Sequence, residues 1–162
     1  MRQIVFEETT DGITIDRVIR DYEYTMPTKH LHDEYEIYYL LEGTRLYFIG
    51  QNTYLIGKGT MVFINKNVIH KTGLASGPYH DRILIEFTEE PFVGFYSFLG
   101  ELSLSDFFEK HQGVMEFDER ERVYVENLLM GIQSEIHHKK TGYRLAVMNR
   151  LARAAAFDVV QV

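Results

Sequence analysis

Cysteine and tryptophan are absent from the 162-residue sequence, and proline occurs only three times. Without cysteine the chain has no disulfide framework, no thiolate zinc site and no thiol nucleophile. Long hydrophobic runs are also missing, and none approaches the roughly 20 residues of a membrane span. The stretch from Met1 to Glu8 is mixed and acidic, unlike a signal peptide. We therefore expect a soluble, cytoplasmic protein that does not associate with membranes.

Basic residues are too few for a free-standing nucleic-acid-binding protein. Lysine and arginine number 17 against 24 acidic residues, a formal net charge of −7, whereas such proteins usually carry a basic patch. The locally basic segment 139–153 is interpreted as the solvated face of a helix, without direct contact to nucleic acid. Hydrophobic residues make up 45% of the chain and charged residues 25%, which is typical of a globular protein. The length fits a single domain over residues 1–162.

The first half of the chain, over about residues 5–90, predicts short β-strands. Its apolar segments are rich in Ile, Val, Tyr and Phe, which favour a pleated surface. Glycine- and asparagine-rich turns separate these segments at short spacing, a pattern typical of an antiparallel sandwich or barrel. The predicted strands cover residues 13–15, 36–41, 46–49, 53–56, 61–64 and 83–87.

After residue 116 the pattern becomes helical. Asp118 stands three residues before Glu121, an arrangement that resembles a capping box, and it predicts a helix over 118–138. Thr141 and Gly142 end this helix, and a second helix is predicted from Tyr143 to about residue 160. Residues 91–117 form a connecting segment with short helices, one within 92–104 and one capped by Ser105. The fold class is therefore mainly β, an antiparallel barrel followed by an antiparallel helix pair.

The second helix carries an apolar seam that predicts a dimer interface. Leu145, Met148, Ala152 and Ala155 follow each other at steps of three, four and three residues, a heptad-like spacing that suits helix pairing. Further apolar residues occupy most of the remaining circumference, which indicates burial on several sides. Covering the open sheet and packing on a partner chain both remain open, and we expect a mixture of the two.

Three histidines and one carboxylate form a candidate metal site. His30 and His32 are two residues apart and therefore face the same side of a strand, while His70 follows a strand that can lie beside them. With Glu36 they offer ligands suited to zinc, iron, nickel or manganese. A straight strand would separate His32 from Glu36 by roughly 13 Å. Residues 33–35 must therefore bend, or Glu36 faces something else.

A second set of side chains is placed on strands that can face the interior of the barrel. A polar and aromatic interior would suit a sugar or another small polar molecule. The alternative is that about half of these side chains point outward, because tyrosine is simply a good strand residue. The candidate ligand-binding residues are Tyr38, Tyr47, His80, Arg82 and Glu86.

These motifs resemble a known superfamily. His30-x-His32-x-x-x-Glu36 followed by Gly43 is similar to the first cupin motif, and the stretch from Gly59 to His70 is similar to the second. The chain departs from the usual cupin pattern where Tyr24 replaces a glycine, where Asn65 and Asn67 replace proline and glycine, and where Leu74 replaces an asparagine. The resemblance implies a cupin-like jelly roll. It also implies that the positions that bind metal in cupin enzymes are kept.

The stretch from Pro27 to Gly43, its continuation to His70 and the terminal helix pair further resemble the amino-terminal sensor domain of AraC-type transcription regulators. This resemblance implies a ligand-sensing, homodimerising domain without its own catalytic residues. DNA would then be contacted through a carboxy-terminal helix-turn-helix domain that is not present in this sequence. The alternative hypothesis is a free-standing mononuclear metal enzyme, an oxygenase or isomerase. A third is a barrel that serves only dimerisation.

Overall fold

The computed structural model describes residues 1–94 and 104–155. Within these residues the chain forms nine β-strands and three α-helices, and a short 3₁₀ turn spans Glu90–Phe92. The strands are β1 (Arg2–Thr10), β2 (Ile13–Arg20), β3 (Tyr35–Gly43), β4 (Arg45–Ile49), β5 (Asn52–Ile56), β6 (Thr60–Ile64), β7 (His70–Leu74), β8 (His80–Phe87) and β9 (Gly113–Glu116). The helices are α1 (Leu104–His111), α2 (Glu119–His138) and α3 (Tyr143–Ala155).

The strands form two antiparallel sheets. The larger sheet has six strands in the order β1-β2-β8-β3-β6-β9, and the smaller has three in the order β5-β4-β7. Several neighbouring strands are distant in sequence, such as β2 with β8 and β4 with β7, an arrangement typical of the predicted jelly roll. The predicted fold class, mainly β and antiparallel with helices at the carboxy-terminal end, is confirmed.

The two faces of the larger sheet bury different side chains. In the register of β3 and β8, Ile37 lies opposite Ile85, whereas the next pair, Tyr38 and Leu84, points to the other face. One face contributes to an apolar cluster shared with the helices, and the other meets the smaller sheet. The sheet is therefore the middle layer of the molecule.

Helices α2 and α3 cover the first of these faces. Five apolar residues of α2 are buried, and the helix begins with the predicted capping box, in which both hydrogen bonds between Asp118 and Glu121 measure 2.9 Å. Lys139 ends α2 in the left-handed region at φ 49°. No helix in the described part of the chain is both long and apolar enough to cross a membrane. The buried α2 residues are Val125, Leu128, Leu129, Ile132 and Ile136.

Gly43 occupies a position that only glycine fits. It ends β3 with φ 94°, in the left-handed region, and a Cβ atom there would collide with the backbone of Tyr79 and His80. The glycine of the first sequence motif therefore allows β3 to pack closely against the start of β8.

Three strands were not predicted. β1 is an edge strand with mostly exposed side chains, so it lacks the apolar signal used for the others. β7 contains Lys71 and Gly73, and β9 has only four residues. The helix predicted around Ser105 is observed as α1, but Ser105 does not cap it, because the helix already includes Leu104. Most of the helix predicted within 92–104, and the extension of the last helix to residue 160, lie outside the described residues.

Candidate metal centre and adjoining cavity

The backbone brings His30 and His70 together before any side chain is considered. The two residues form an isolated antiparallel bridge, with His30 N donating to His70 O at 3.1 Å and His70 N donating to His30 O at 3.0 Å. Asn67 N donates to His32 O at 2.7 Å from a left-handed conformation with φ 60°. The turn before β7 thus holds His70 against the segment that carries the other two histidines.

The bend required between His32 and Glu36 is present. Residues 33 and 34 bend before β3 begins, so that His32 Nε2 lies 3.9 Å from Glu36 Oε2. His70 Nε2 lies 2.6 Å from the same carboxylate oxygen. One ligand atom from each of His30, His32, Glu36 and His70 lies within 4.8 Å of all the others. The structure therefore brings together all four residues of the candidate metal site.

Backbone carbonyls orient two of the imidazoles. His70 Nδ1 lies 2.8 Å from Val68 O, and His32 Nδ1 lies 3.1 Å from Glu34 O. Because a carbonyl oxygen only accepts, each Nδ1 carries the proton, and in the neutral ring Nε2 is left with a lone pair. Both Nε2 atoms are directed at Glu36. Such orientation by an outer acceptor is what metal-ligating histidines show.

The contact between His70 and Glu36 calls for a cation. Two acceptor atoms 2.6 Å apart repel unless a proton or a metal ion lies at them. Burial lowers the pKa of His70, but the Glu36 carboxylate, the Val68 carbonyl and the Glu86 carboxyl group together raise it, so the pKa is raised overall. Both atoms are buried, and apart from this contact neither has a hydrogen-bond partner within residues 1–94 and 104–155. The nitrogen and oxygen donors therefore fit a divalent transition metal.

A cavity of about 180 Å³ adjoins this cluster inside the barrel. Of the predicted ligand-binding residues, Tyr38, Tyr47, Arg82 and Glu86 line it. His80 is buried but does not line the cavity, and its Nε2 lies 3.4 Å from Arg20 Nη1. The cavity is lined by Arg20, Tyr24, Met26, His30, Glu36, Tyr38, Tyr47, His70, Thr72, Arg82, Leu84 and Glu86.

Burial changes the protonation of several of these groups. Burial, together with the nearby Glu36 and Glu34 carboxylates, raises the pKa of Glu86 to about 7. Burial also raises the pKa of both Tyr38 and Tyr47, which therefore remain neutral hydrogen-bonding groups. Arg82 differs, because it forms an ion pair with Asp16 on the neighbouring strand. The cavity is therefore polar, and its lining includes tyrosine hydroxyl groups, a carboxyl group and the Arg20 guanidinium.

Sequence reasoning missed Arg20, Tyr24, Met26 and Thr72. Arg20 carried a usable signal, because it follows the buried Val18 at a spacing of two and so faces the same side of β2. The predicted strand ended at residue 15, which hid this alternation. Tyr24 and Met26 lie in a loop, where spacing has no fixed meaning.

The predicted dimer seam is divided between exposed and buried positions on α3. Leu145 is 68% exposed, and Met148 and Ala152 are partly exposed. Ala155 is buried inside its own chain, together with Val147, Leu151 and Ala154. Part of α3 therefore covers the sheet, and Leu145 is the most exposed member of the seam. Packing of this seam on a partner chain stays a prediction.

The chain is similar to one known protein family over part of its length. Residues 13–85 match the family model of the AraC-like ligand binding domain, which confirms the predicted resemblance over this segment. No curated protein matches the chain.

Many solved structures are similar to the barrel half. An RmlC-like cupin family protein with a double-stranded β-helix fold from Methanocaldococcus jannaschii is 16% identical, with a TM-score of 0.46 over 53% of this chain and 81% of that chain. A cupin protein from Bacteroides fragilis is 19% identical, with a TM-score of 0.44 over 48% and 66%. A cupin superfamily protein from Desulfitobacterium hafniense is 9% identical, with a TM-score of 0.46 over 54% and 76%.

Proposed function

Because residues 13–85 match the family model of the AraC-like ligand binding domain, we propose that the chain is the sensing and dimerising part of an AraC-type transcription regulator. A small polar molecule enters the barrel, and its binding shifts the population between arrangements of the terminal helices. The ligand must bind one arrangement better than the other for this shift to occur. DNA is contacted by a helix-turn-helix domain outside residues 1–162.

One observation carries this proposal. Eleven of the twelve residues that line the cavity, all except Glu86, lie within the matched segment 13–85. The part of the chain that is similar to a ligand-binding family is therefore the part that builds a polar cavity. A barrel kept only for dimerisation would need neither this cavity nor the buried Tyr38 hydroxyl and Glu36 carboxylate that line it.

The metal site belongs to the same proposal. His30, His32, Glu36 and His70 would hold a divalent ion, with zinc, iron, nickel and manganese as candidates. The ion would supply a Lewis-acidic position for an oxygen of the ligand. Glu36 and His70 are the buried members of this set, whereas His30 and His32 are partly exposed.

The second candidate function is a mononuclear metal enzyme, an oxygenase or an isomerase. The specific observation in its favour is the complete set of three imidazoles and one carboxylate beside a cavity. A sensor binds its ligand and releases it unchanged, whereas an enzyme converts it. Incubation of the metal-loaded protein with a bound compound, followed by NMR of the compound, separates the two. An unchanged spectrum favours the sensor, and a product that His30→Ala abolishes favours the enzyme.

Metal binding is tested by equilibrium dialysis against zinc, nickel and manganese, with one ion per protein chain as the expected result. His70→Ala should lower the affinity at least tenfold, because it removes a buried ligand. His138→Ala is the matched control, since this exposed histidine hydrogen-bonds within α2. Equal loss of binding in both variants would place the metal elsewhere.

Dimerisation is tested by sedimentation of the native protein and of Leu145→Glu. Leu145 and Met148 border a groove between α3, Ile13 and Pro91, and a second copy of α3 is the proposed occupant. Leu145→Glu should weaken the dimer without unfolding the barrel, because residue 145 is exposed within its own chain. A native protein that is monomeric at micromolar concentration would contradict this part of the proposal.

A further inference from the structure

Two arginines are buried in the barrel without a carboxylate partner. Arg20 on β2 is 8% exposed and Arg45 on β4 is fully buried. Within residues 1–94 and 104–155, neither guanidinium forms an ion pair with an acidic side chain. The Nε atom of each is buried and has no hydrogen-bond partner in this part of the chain. Burying a cation without a counterion is costly, so this pair requires an explanation.

Two other arginines, on β2 and on the neighbouring β8, are paired with carboxylates. Arg17 donates two hydrogen bonds to Asp81, at 3.0 and 2.6 Å, and Arg82 pairs with Asp16. The sheet therefore supplies carboxylates where arginines serve its structure. Arg20 and Arg45 are the exceptions among these four.

The groups that do surround the two guanidiniums are neutral. Arg20 and Arg45 both lie near the ring of Tyr24, with their Cζ atoms 4.1 and 5.7 Å from its centroid. Arg45 also donates to Tyr24 O at 2.6 Å and to Thr72 Oγ1 at 3.2 Å. His80 accepts from Arg20, and burial keeps its pKa near 4, so it carries no charge. Cation–π contacts and neutral acceptors leave both positive charges uncompensated.

The cavity is polarised along β8. His80, beside Arg20, and Glu86, beside the histidine cluster, point to the same face but stand six residues apart, roughly 20 Å along the strand. The two cavity carboxyl groups, Glu36 and Glu86, therefore lie at the histidine end. The opposite end presents Arg20, which is the guanidinium that both lines the cavity and lacks an acid.

We propose that the ligand of this barrel is a small carboxylate whose acid group pairs with Arg20. Arg45 lies behind, fully buried, and adds positive charge without touching the ligand. A cavity of about 180 Å³ corresponds to about six water molecules at 30 Å³ each, which suits a compound of a few carbon atoms. This inference rests on the proposed sensing function. It changes the expected class of ligand from a neutral sugar to a small anion.

The test compares carboxylates with their uncharged amides. The Tm of the native protein is measured in acetate and lactate and in acetamide and lactamide, at constant ionic strength set with chloride. Acetate and lactate should each raise Tm in a saturable way, and the amides should not. By calorimetry, Arg20→Gln should weaken lactate binding about tenfold or more, as expected for loss of a charge-assisted hydrogen bond. Arg2→Gln, an exposed residue opposite Arg20 on β1, should bind as the native protein does.

Arg20→Met distinguishes a ligand-binding arginine from a structural one. Removing an uncompensated buried charge should leave the Tm of the ligand-free protein equal or higher, while the response to lactate disappears. A variant that fails to fold, or that melts lower, would show that Arg20 serves the structure and would overturn the inference. Equal shifts with acids and amides would overturn it as well. Binding of neutral xylose without binding of either acid would overturn the inference and leave the sensing function standing.

Discussion

The two faces of the six-stranded sheet perform different tasks with the same strands. The helix-facing side is built from rings and branched aliphatic chains, and its charged pair, Arg17 with Asp81, is fully matched. Among the described residues, the cavity-facing side keeps Arg20 without an acidic partner and a buried Glu36 oxygen that faces imidazole nitrogens. Successive residues of a strand alternate between faces. Two neighbours in sequence therefore lie in different surroundings, one in the apolar helix-facing layer and the other at the polar cavity.

This difference separates stability from binding. Apolar side chains in close contact contribute to the free energy of unfolding through burial and dispersion. Unsatisfied polar atoms cost free energy in the empty protein and regain it when a ligand or ion arrives. We therefore expect substitutions on the helix-facing side to change stability most, and those on the cavity-facing side to change binding most.

Phe87→Ala should have the largest effect on stability. Phe87 is fully buried on the helix-facing side, and its ring centroid lies 5.2 Å from that of Phe92 and 5.8 Å from that of Phe108. Removal of a packed aromatic ring leaves a cavity and should lower the free energy of unfolding by about 4 kcal/mol. Urea unfolding measures this loss. Metal affinity of the folded variant should be unchanged, and a parallel loss would contradict the separation of the faces.

His80 should make the cavity side sensitive to acid. Burial, with the positive charge of Arg45 and Arg20 near it, lowers the pKa of His80 from 6.5 to about 4 in the folded protein, against a weaker opposing effect of Asp81. Between pH 6.5 and pH 4, His80 is therefore protonated in the unfolded chain but neutral in the folded chain. Stability is full above pH 6.5 and falls as the pH drops towards 4, by at most about 3 kcal/mol.

The control for this effect is His80→Gln, which keeps an acceptor for Arg20 but does not titrate. The difference in free energy of unfolding between pH 7 and pH 4.5, measured with urea, should be smaller in this variant than in the native protein. Identical pH profiles in the two proteins would show that His80 does not carry the acid sensitivity.

Asp118→Ala should cost about 1 kcal/mol, because it removes the capping box at the start of α2. The stability is lost at the start of α2, which packs on the helix-facing side of the sheet. The affinity of the barrel for metal should therefore not change. Asp118→Ser is the matched control, since a hydroxyl group can also accept from the backbone N–H of Glu121. Thermal unfolding of the two variants measures the difference, and an equal loss in both would assign the cost to charge and not to capping.

The sequence predicted the metal cluster far better than the rest of the cavity. His30, His32 and Glu36 are close in the chain, and the only geometric condition was a bend at residues 33 and 34, which is present. Arg20, in contrast, meets the cavity through the pairing of β2 with β8, two strands far apart in sequence. Local spacing cannot specify which strands pair, although the alternation along β2 does place Arg20 on the same face as the buried Val18.

Glu86→Gln should have the smallest effect on stability and so sharpens the comparison with its neighbour Phe87. Glu86 lies on the cavity side, 4.0 Å from His32 Nε2 and close to the Glu36 and Glu34 carboxyl groups. A neutral side chain of the same shape relieves repulsion between like charges while losing one attraction to a histidine. The free energy of unfolding should therefore change by less than about 1 kcal/mol. Urea unfolding beside Phe87→Ala provides the measurement, and a loss of several kcal/mol would mean that this face, too, contributes to stability.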